Sequence, residues 1–270
     1  YQGKSRFRTS NPNIIYILAD DLGYGDVACL NPDSKIPTPH LNSLAEQGIT
    51  FTDAHSGSSL CSPTRYGVLT GRYSWRSRRQ GGALWSFDPP LIEENRLTVP
   101  QFLKNNAYHT AIIGKWHLGL NWRDKNGDIL ENTGTEKGWN VDFSRALENG
   151  PTSRGFDYFF GMDAPNYPPY CYIENDKTLG IPDLDKSISM YGVPGIMMEG
   201  WDLYKVLPEL EKRVIQYIRD RAEQENPFFL YFPLTAPHTP IAPTEEHVGK
   251  SQAGLYGDFV HQVDAIVGNI

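Results

Sequence analysis

The chain has 270 residues, with 25 Lys and Arg against 32 Asp and Glu, and its formal net charge is −7. This length fits one large α/β domain or two small ones. The acidic balance argues against nucleic acid as a partner, and no apolar run is long enough for a membrane span. The acidic net charge does not exclude an anionic substrate, because a local cluster of cations can outweigh it.

Residues 1–12 read as a polar N-terminal tail, and the apolar pattern begins at Asn13. The run Asn13–Ala19 is short and rich in β-branched residues, which predicts a buried central strand of a parallel sheet. Asp20 and Asp21 follow at its carboxyl end, where open α/β sheets bind ligands. Two interpretations stay open from the residues alone: a hard-metal site for Ca²⁺ or Mg²⁺, or a solvated acidic turn.

The next segment leads to a lone cysteine. Thr38-Pro39 opens a predicted helix that Gly48 closes, and residues 49–54 predict a strand. Cys61-Ser62-Pro63-Thr64-Arg65 then starts a second helix, with Cys61 or Ser62 at its cap. A cysteine at the positive end of a helix beside an arginine can hold an anion. From these five residues alone, the favoured interpretation is a cysteine that merely precedes a helix.

A third chemical cluster follows a third strand. After a short helix over Val99–Asn106, the run Tyr108–Ile113 predicts a strand, and Lys115 and His117 lie just beyond it. Lysine is a point charge suited to a sulfate or phosphate oxygen, and histidine exchanges protons near neutral pH. The alternative is a loop lysine and a packed histidine.

The second half alternates irregular and regular segments. Residues 121–200 are rich in Gly, Pro, Asn and aromatics, with one predicted strand over Phe156–Gly161, and are expected to form part of a substrate cleft. Helices are predicted over Leu207–Glu225 and from Gly254 to Ile270, with a buried strand over 227–234 between them. His238 follows that strand between two prolines and is a candidate acid or base, although the residues alone favour a structural histidine.

The stretch from Ser59 to Gly71 resembles, position by position, the signature of the type I sulfatases, the formylglycine-dependent family that includes arylsulfatase A. Residues 114–119 (Gly-Lys-Trp-His-Leu-Gly) resemble the family's second signature, with Ala107 where glycine is usual. The resemblance covers nearly all of residues 13–270 and is to the N-terminal catalytic portion of the family. It implies one α/β catalytic domain with a doubly wound, mostly parallel sheet flanked by helices, as in alkaline phosphatase.

The resemblance also implies a role for each candidate residue. Cys61 would be oxidised to Cα-formylglycine by a maturation enzyme, and its aldehyde hydrate would be the nucleophile. Asp20, Asp21 and residue 61 would bind Ca²⁺, with Mg²⁺ the less favoured ion. Arg65 would bind the hydrate, and Lys115 would bind the sulfate group. His117 would assist deprotonation of the hydrate, and His238 would protonate the leaving oxygen.

By the same resemblance, the expected substrate is a sulfated carbohydrate, with an aryl sulfate as a surrogate. A phosphonate monoester or phosphodiester hydrolase and a non-catalytic sulfoglycan-binding protein are the alternatives. A bacterial periplasmic or secreted location is expected. The family also implies an Asp-Asn pair after residue 270 that completes the metal site.

Overall fold

The computed structural model describes residues 11–131 and 136–270, so most of the predicted tail lies outside the described residues. In chain order, the helices of the described residues are α1 (Pro39–Gln47), α2 (Cys61–Thr70), α3 (Val99–Lys104), α4 (Leu203–Ala222) and α5 (Gly254–Asn269). The strands are β1 (Ile14–Asp20), β2 (His109–Lys115), β3 (Tyr158–Met162), β4 (Ile173–Glu174), β5 (Lys177–Thr178), β6 (Leu184–Asp185), β7 (Ile196–Met197) and β8 (Phe228–Pro237). None of these helices combines the length and apolarity needed to span a bilayer.

Six strands form one sheet in the order β1-β8-β2-β3-β4-β5. The first four run parallel, while β4 and β5 form an antiparallel extension, and β6 pairs with β7 in a separate small sheet. Parallel neighbours bring their carboxyl ends to the same edge of the sheet. The ends of β1, β8 and β2 therefore lie side by side.

Apolar side chains cover both faces of the sheet, which confirms the predicted doubly wound α/β class. Along β8, Phe229 and Tyr231 join a core cluster with Tyr66 and Leu69 of α2. Alternate residues of the same strand, including Leu230, join a second cluster with α4 and α5. Every residue of β8 is buried, as expected for a strand covered on both faces.

Four local predictions need correction. The strand β1 lies at an edge of the described sheet, with Tyr16 42% exposed, so it is not central and fully buried. Residues 49–54 form no strand, and Phe51 is 74% exposed, because no described strand pairs with this segment. The irregular region contains five short strands, not one. Helix α4 begins at Leu203, one turn early, because the Asp202 carboxylate caps it by accepting from the Tyr204 N–H.

Candidate functional site

Three strand ends and one helix start surround the candidate site. Asp20 is the last residue of β1 and pairs in register with Pro237, which places His238 next to the Asp20–Asp21 pair. Lys115 ends β2. Cys61 is the first residue of α2 with Leu60 at the cap, so neither Cys61 nor Ser62 is the cap, and no described strand delivers the cysteine.

A buried carboxylate joins two buried cations at the centre of this site. The Asp20 Oδ2 atom lies 2.6 Å from Lys115 Nζ and 3.3 Å from Arg65 Nη2, and all three side chains are at most 4% exposed. Arg65 also donates through Nη1 to the carbonyl of Lys115 at 2.8 Å. Burial acts to raise the pKa of Asp20, but the two cations outweigh it and hold that pKa well below its usual range.

This buried cluster carries one more positive than negative charge. Such an excess in a low-dielectric interior attracts an anion more strongly than the same charges in water. The Arg65 Nε atom is buried and has no hydrogen-bond partner among the described residues.

Cys61 lies against this cluster, with its Sγ atom 3.5 Å from Lys115 Nζ. Burial nevertheless raises the pKa of the thiol, since it outweighs the nearby lysine. The sulfur therefore stays protonated at neutral pH, which makes it a poor nucleophile as a thiol.

Asp20, Asp21 and Cys61 form the metal-type cluster of the described residues. One ligand atom from each lies within 4.8 Å of the others. Asp21 is half exposed, and its Oδ2 atom lies 3.5 Å from His238 Nε2. The two carboxylates fit a hard divalent cation, whereas a thiol does not, so an oxygen at position 61 would complete an all-oxygen set of three.

His117 is buried behind this cluster. Its Nε2 atom lies 3.0 Å from the carbonyl of Leu84, and a carbonyl can only accept, so Nε2 carries the proton. The Nδ1 atom then carries a lone pair, and it has no hydrogen-bond partner among residues 11–131 and 136–270. Burial lowers the pKa of His117 well below its usual value, with Lys115 adding to the effect, so the ring is a neutral acceptor.

Sequence reasoning missed one carboxylate at this edge. Asp163 directly follows β3, and its Oδ1 atom is buried with no partner in the described part of the chain. Burial raises the pKa of Asp163 to about 7, although Lys115 opposes the shift. The strand-end position that marked Asp20 also marks Asp163, so this signal was present in the sequence.

Comparison with known proteins identifies one family. A family model described as Sulfatase matches residues 12–270. The N-acetylgalactosamine-6-O-sulfatase of Bacteroides thetaiotaomicron is 31% identical over 303 residues, covering 97% of this chain and 55% of that protein. Human arylsulfatase D is 29% identical over 317 residues, covering 96% of this chain and 50% of that protein. This chain thus spans about half the length of the curated relatives it matches.

The fold is also shared with solved sulfatases. A structure from work on the metabolism of glycosaminoglycans by Bacteroides thetaiotaomicron has a TM-score of 0.80 to this chain at 29% identity. The match covers 97% of this chain and 58% of the solved one.

Proposed function

Because this chain belongs to the sulfatase family, we propose that the natural protein hydrolyses sulfate esters of carbohydrates at the site formed by Asp20, Cys61, Arg65 and Lys115. One observation carries the proposal: a buried cluster with excess positive charge touches the residue at the start of α2. Arg65 and Lys115 supply positive charge for the sulfate group, and residue 61 lies close enough to them to act as the nucleophile.

Residue 61 acts, in this proposal, as Cα-formylglycine made from Cys61 by a maturation enzyme. The raised thiol pKa supports a precursor role, because a protonated sulfur is a weak nucleophile. When hydrated, the aldehyde would supply two hydroxyl groups on one carbon. One would lose its proton and attack sulfur while the bond between sulfur and the carbohydrate oxygen breaks. Deprotonation of the other would then expel sulfate and restore the aldehyde. A serine or cysteine ester lacks the second hydroxyl.

Asp20, Asp21 and an oxygen of residue 61 would hold a calcium ion, whose charge would orient the hydrate and withdraw electrons from the sulfate oxygens. The closeness of their ligand atoms supports this assignment. Ca²⁺ takes about 6–8 oxygen ligands, so these three residues would supply only part of its coordination.

The remaining residues bind the reacting groups and move protons. Arg65 would hold the hydrate through its guanidinium, which is buried beside Asp20. Lys115, whose Nζ atom lies 3.5 Å from Cys61 Sγ, would donate to a sulfate oxygen. The free Nδ1 atom of neutral His117 accepts the hydrogen bond of a hydrate hydroxyl. His238, at 18% exposure beside Asp21, donates a proton to the oxygen that leaves with the carbohydrate, so the alcohol departs neutral.

The carbohydrate class is supported by the relatives. The Bacteroides relative is named for N-acetylgalactosamine 6-O-sulfate, and the structure with a TM-score of 0.80 comes from work on glycosaminoglycan metabolism. A tetrasaccharide that contains N-acetylgalactosamine 6-sulfate is therefore the first natural-type substrate to test. A periplasmic or secreted location belongs to the same proposal.

The test uses the intact natural protein from a host that matures sulfatases. We expect the residue-61 peptide to have exchanged one sulfur and two hydrogens for one oxygen, and the protein to release sulfate from the tetrasaccharide. Faster turnover of a phosphonate monoester than of any sulfate ester would favour the rival hydrolase class. An unmodified thiol with no sulfate release would favour a sulfoglycan-binding protein.

A further inference from the structure

A second cleft, of about 760 Å³, opens beside the candidate site. On one side Tyr167 packs edge-on against His117, with 5.8 Å between ring centroids. On the other side the Tyr191 hydroxyl lies 3.5 Å from Thr239 Oγ1, one residue beyond His238. The cleft therefore lies next to His117 and next to the segment that carries His238, the residue proposed to protonate the leaving alcohol.

One wall of this cleft presents an exposed tryptophan on a fixed backbone. Trp85 follows Leu84, whose carbonyl contacts His117 and whose N–H donates to Ser62 Oγ at 3.1 Å. The backbone N–H of Trp85 donates to the Asp88 carboxylate at 2.8 Å. The Trp85 side chain is nevertheless 54% exposed, so the backbone is held while the ring faces the cleft.

The opposite wall is also preformed. The buried Tyr170 hydroxyl lies 2.9 Å from the carbonyl oxygen of Asn166 and 2.6 Å from that of Val193. Gly192 adopts φ +124°, and a Cβ there would lie 2.5 Å from the Tyr170 hydroxyl. These contacts tie the two loops that bear Tyr167 and Tyr191 to each other.

The chemistry of the lining selects a sugar ring. The Trp85 and Tyr167 rings pack against each other with 5.6 Å between centroids and a tilt of 37°. Both residues line the cleft and Trp85 is 54% exposed, so aromatic surface is accessible to a ligand. Rigid aromatic faces bind the C–H faces of pyranose rings at low entropy cost. None of the described lining residues is acidic, and Lys186 supplies a positive charge, so an anionic saccharide meets no repulsion from the lining.

We propose that the cleft lined by Trp85, Tyr167 and Tyr191 is a saccharide subsite that binds the leaving-group side of a sulfated carbohydrate. This inference rests on the proposed sulfate ester hydrolysis and adds the part of the substrate that the protein recognises. The subsite makes an extended saccharide a better substrate than a small aryl sulfate, since only the saccharide reaches Trp85.

The test compares Trp85→Ala with Trp75→Ala in the intact natural protein. Trp75 is the matched control, because it is 53% exposed and does not line the cleft. We expect Trp85→Ala to lower kcat/KM for the 6-sulfated tetrasaccharide about tenfold or more, as loss of an aromatic contact implies. Turnover of 4-nitrophenyl sulfate should change by less than about twofold, and Trp75→Ala should affect neither substrate.

Binding is measured separately in the Cys61→Ala background, which cannot turn over the probe. Titration calorimetry with the same tetrasaccharide should show binding, and Trp85→Ala should weaken it by a similar factor. Equal losses on both substrates, no loss on either, or no binding to the Cys61→Ala protein would overturn the subsite. Failure of the wild-type protein to release sulfate from both substrates would instead refute the proposed function.

Discussion

Substitution of Asp20 by Asn should destabilise the metal-free protein far more than the same substitution at its neighbour Asp21. Asp20 contacts Lys115 at 2.6 Å and Arg65 at 3.3 Å, and all three side chains are buried. Removal of one member of a buried ionic cluster costs about 3–5 kcal/mol, and here two cations would face each other without a counter-charge. We therefore expect the upper part of that range, against a typical free energy of unfolding of about 5–15 kcal/mol.

Asp21→Asn is the matched control. Its carboxylate is 50% exposed and forms an ion pair with His238 at 3.5 Å, so its loss should cost less than about 1 kcal/mol. Asn also tolerates the φ of +62° at this position. Urea unfolding in excess chelator, followed by tryptophan fluorescence, gives the two free energies. Equal losses for the two variants would refute the argument that the buried cluster needs Asp20 as its counter-charge.

Three further predictions concern pH, metal and backbone. Burial keeps His117 neutral in the folded state, whereas in the unfolded chain its pKa returns to about 6.5. Below that pH only the unfolded state binds the proton, so the stability of the folded protein should fall. His117→Asn should remove that part of the loss in a series of Tm measurements across pH; an unchanged profile would contradict the assignment. A chelator should stop sulfate release, and Ca²⁺ should restore more of it than Mg²⁺; full activity in chelator would exclude the proposed metal site. Gly114→Ala should cost about 3 kcal/mol or more in urea unfolding, because its Cβ would lie 2.1 Å from the Pro233 carbonyl oxygen. Gly71→Ala, also at positive φ but facing open space, should cost only about 1 kcal/mol.

Local signals in the sequence are enough for most elements of the fold. The apolar runs at β2, β3 and β8 and the amphipathic patterns of α4 and α5 depend on spacing within one segment. Each of these elements lies within a few residues of its predicted bounds. Two of the corrected predictions, β1 as a central strand and residues 49–54 as a strand, depend on which strands pair with them, and no local pattern contains that information. The short strands β4 to β7 were missed for the same reason, because two residues are too few to show a period.

The candidate site divides in the same way. The strand-end rule marks Asp20, Lys115 and His238 from the amino-acid sequence alone, because parallel strands end at one edge of their sheet. The sequence does not reveal that Asp20 neutralises two cations, that Leu84 fixes the tautomer of His117, or that the Cys61 thiol has a raised pKa.

The sequence by itself determined the class of the fold, the family signatures and the residue types able to bind an anion and a metal ion. Only the tertiary structure decided the charge balance of the buried cluster and the aromatic cleft beside it. The buried cluster joins residues 20, 65 and 115, which are far apart in the sequence. The aromatic cleft likewise joins residues 85, 167 and 191. The desolvation of charged groups and the contacts between distant residues depend on such long-range packing. Hydrophobic periodicity and the ends of strands depend on residues that are neighbours in the sequence.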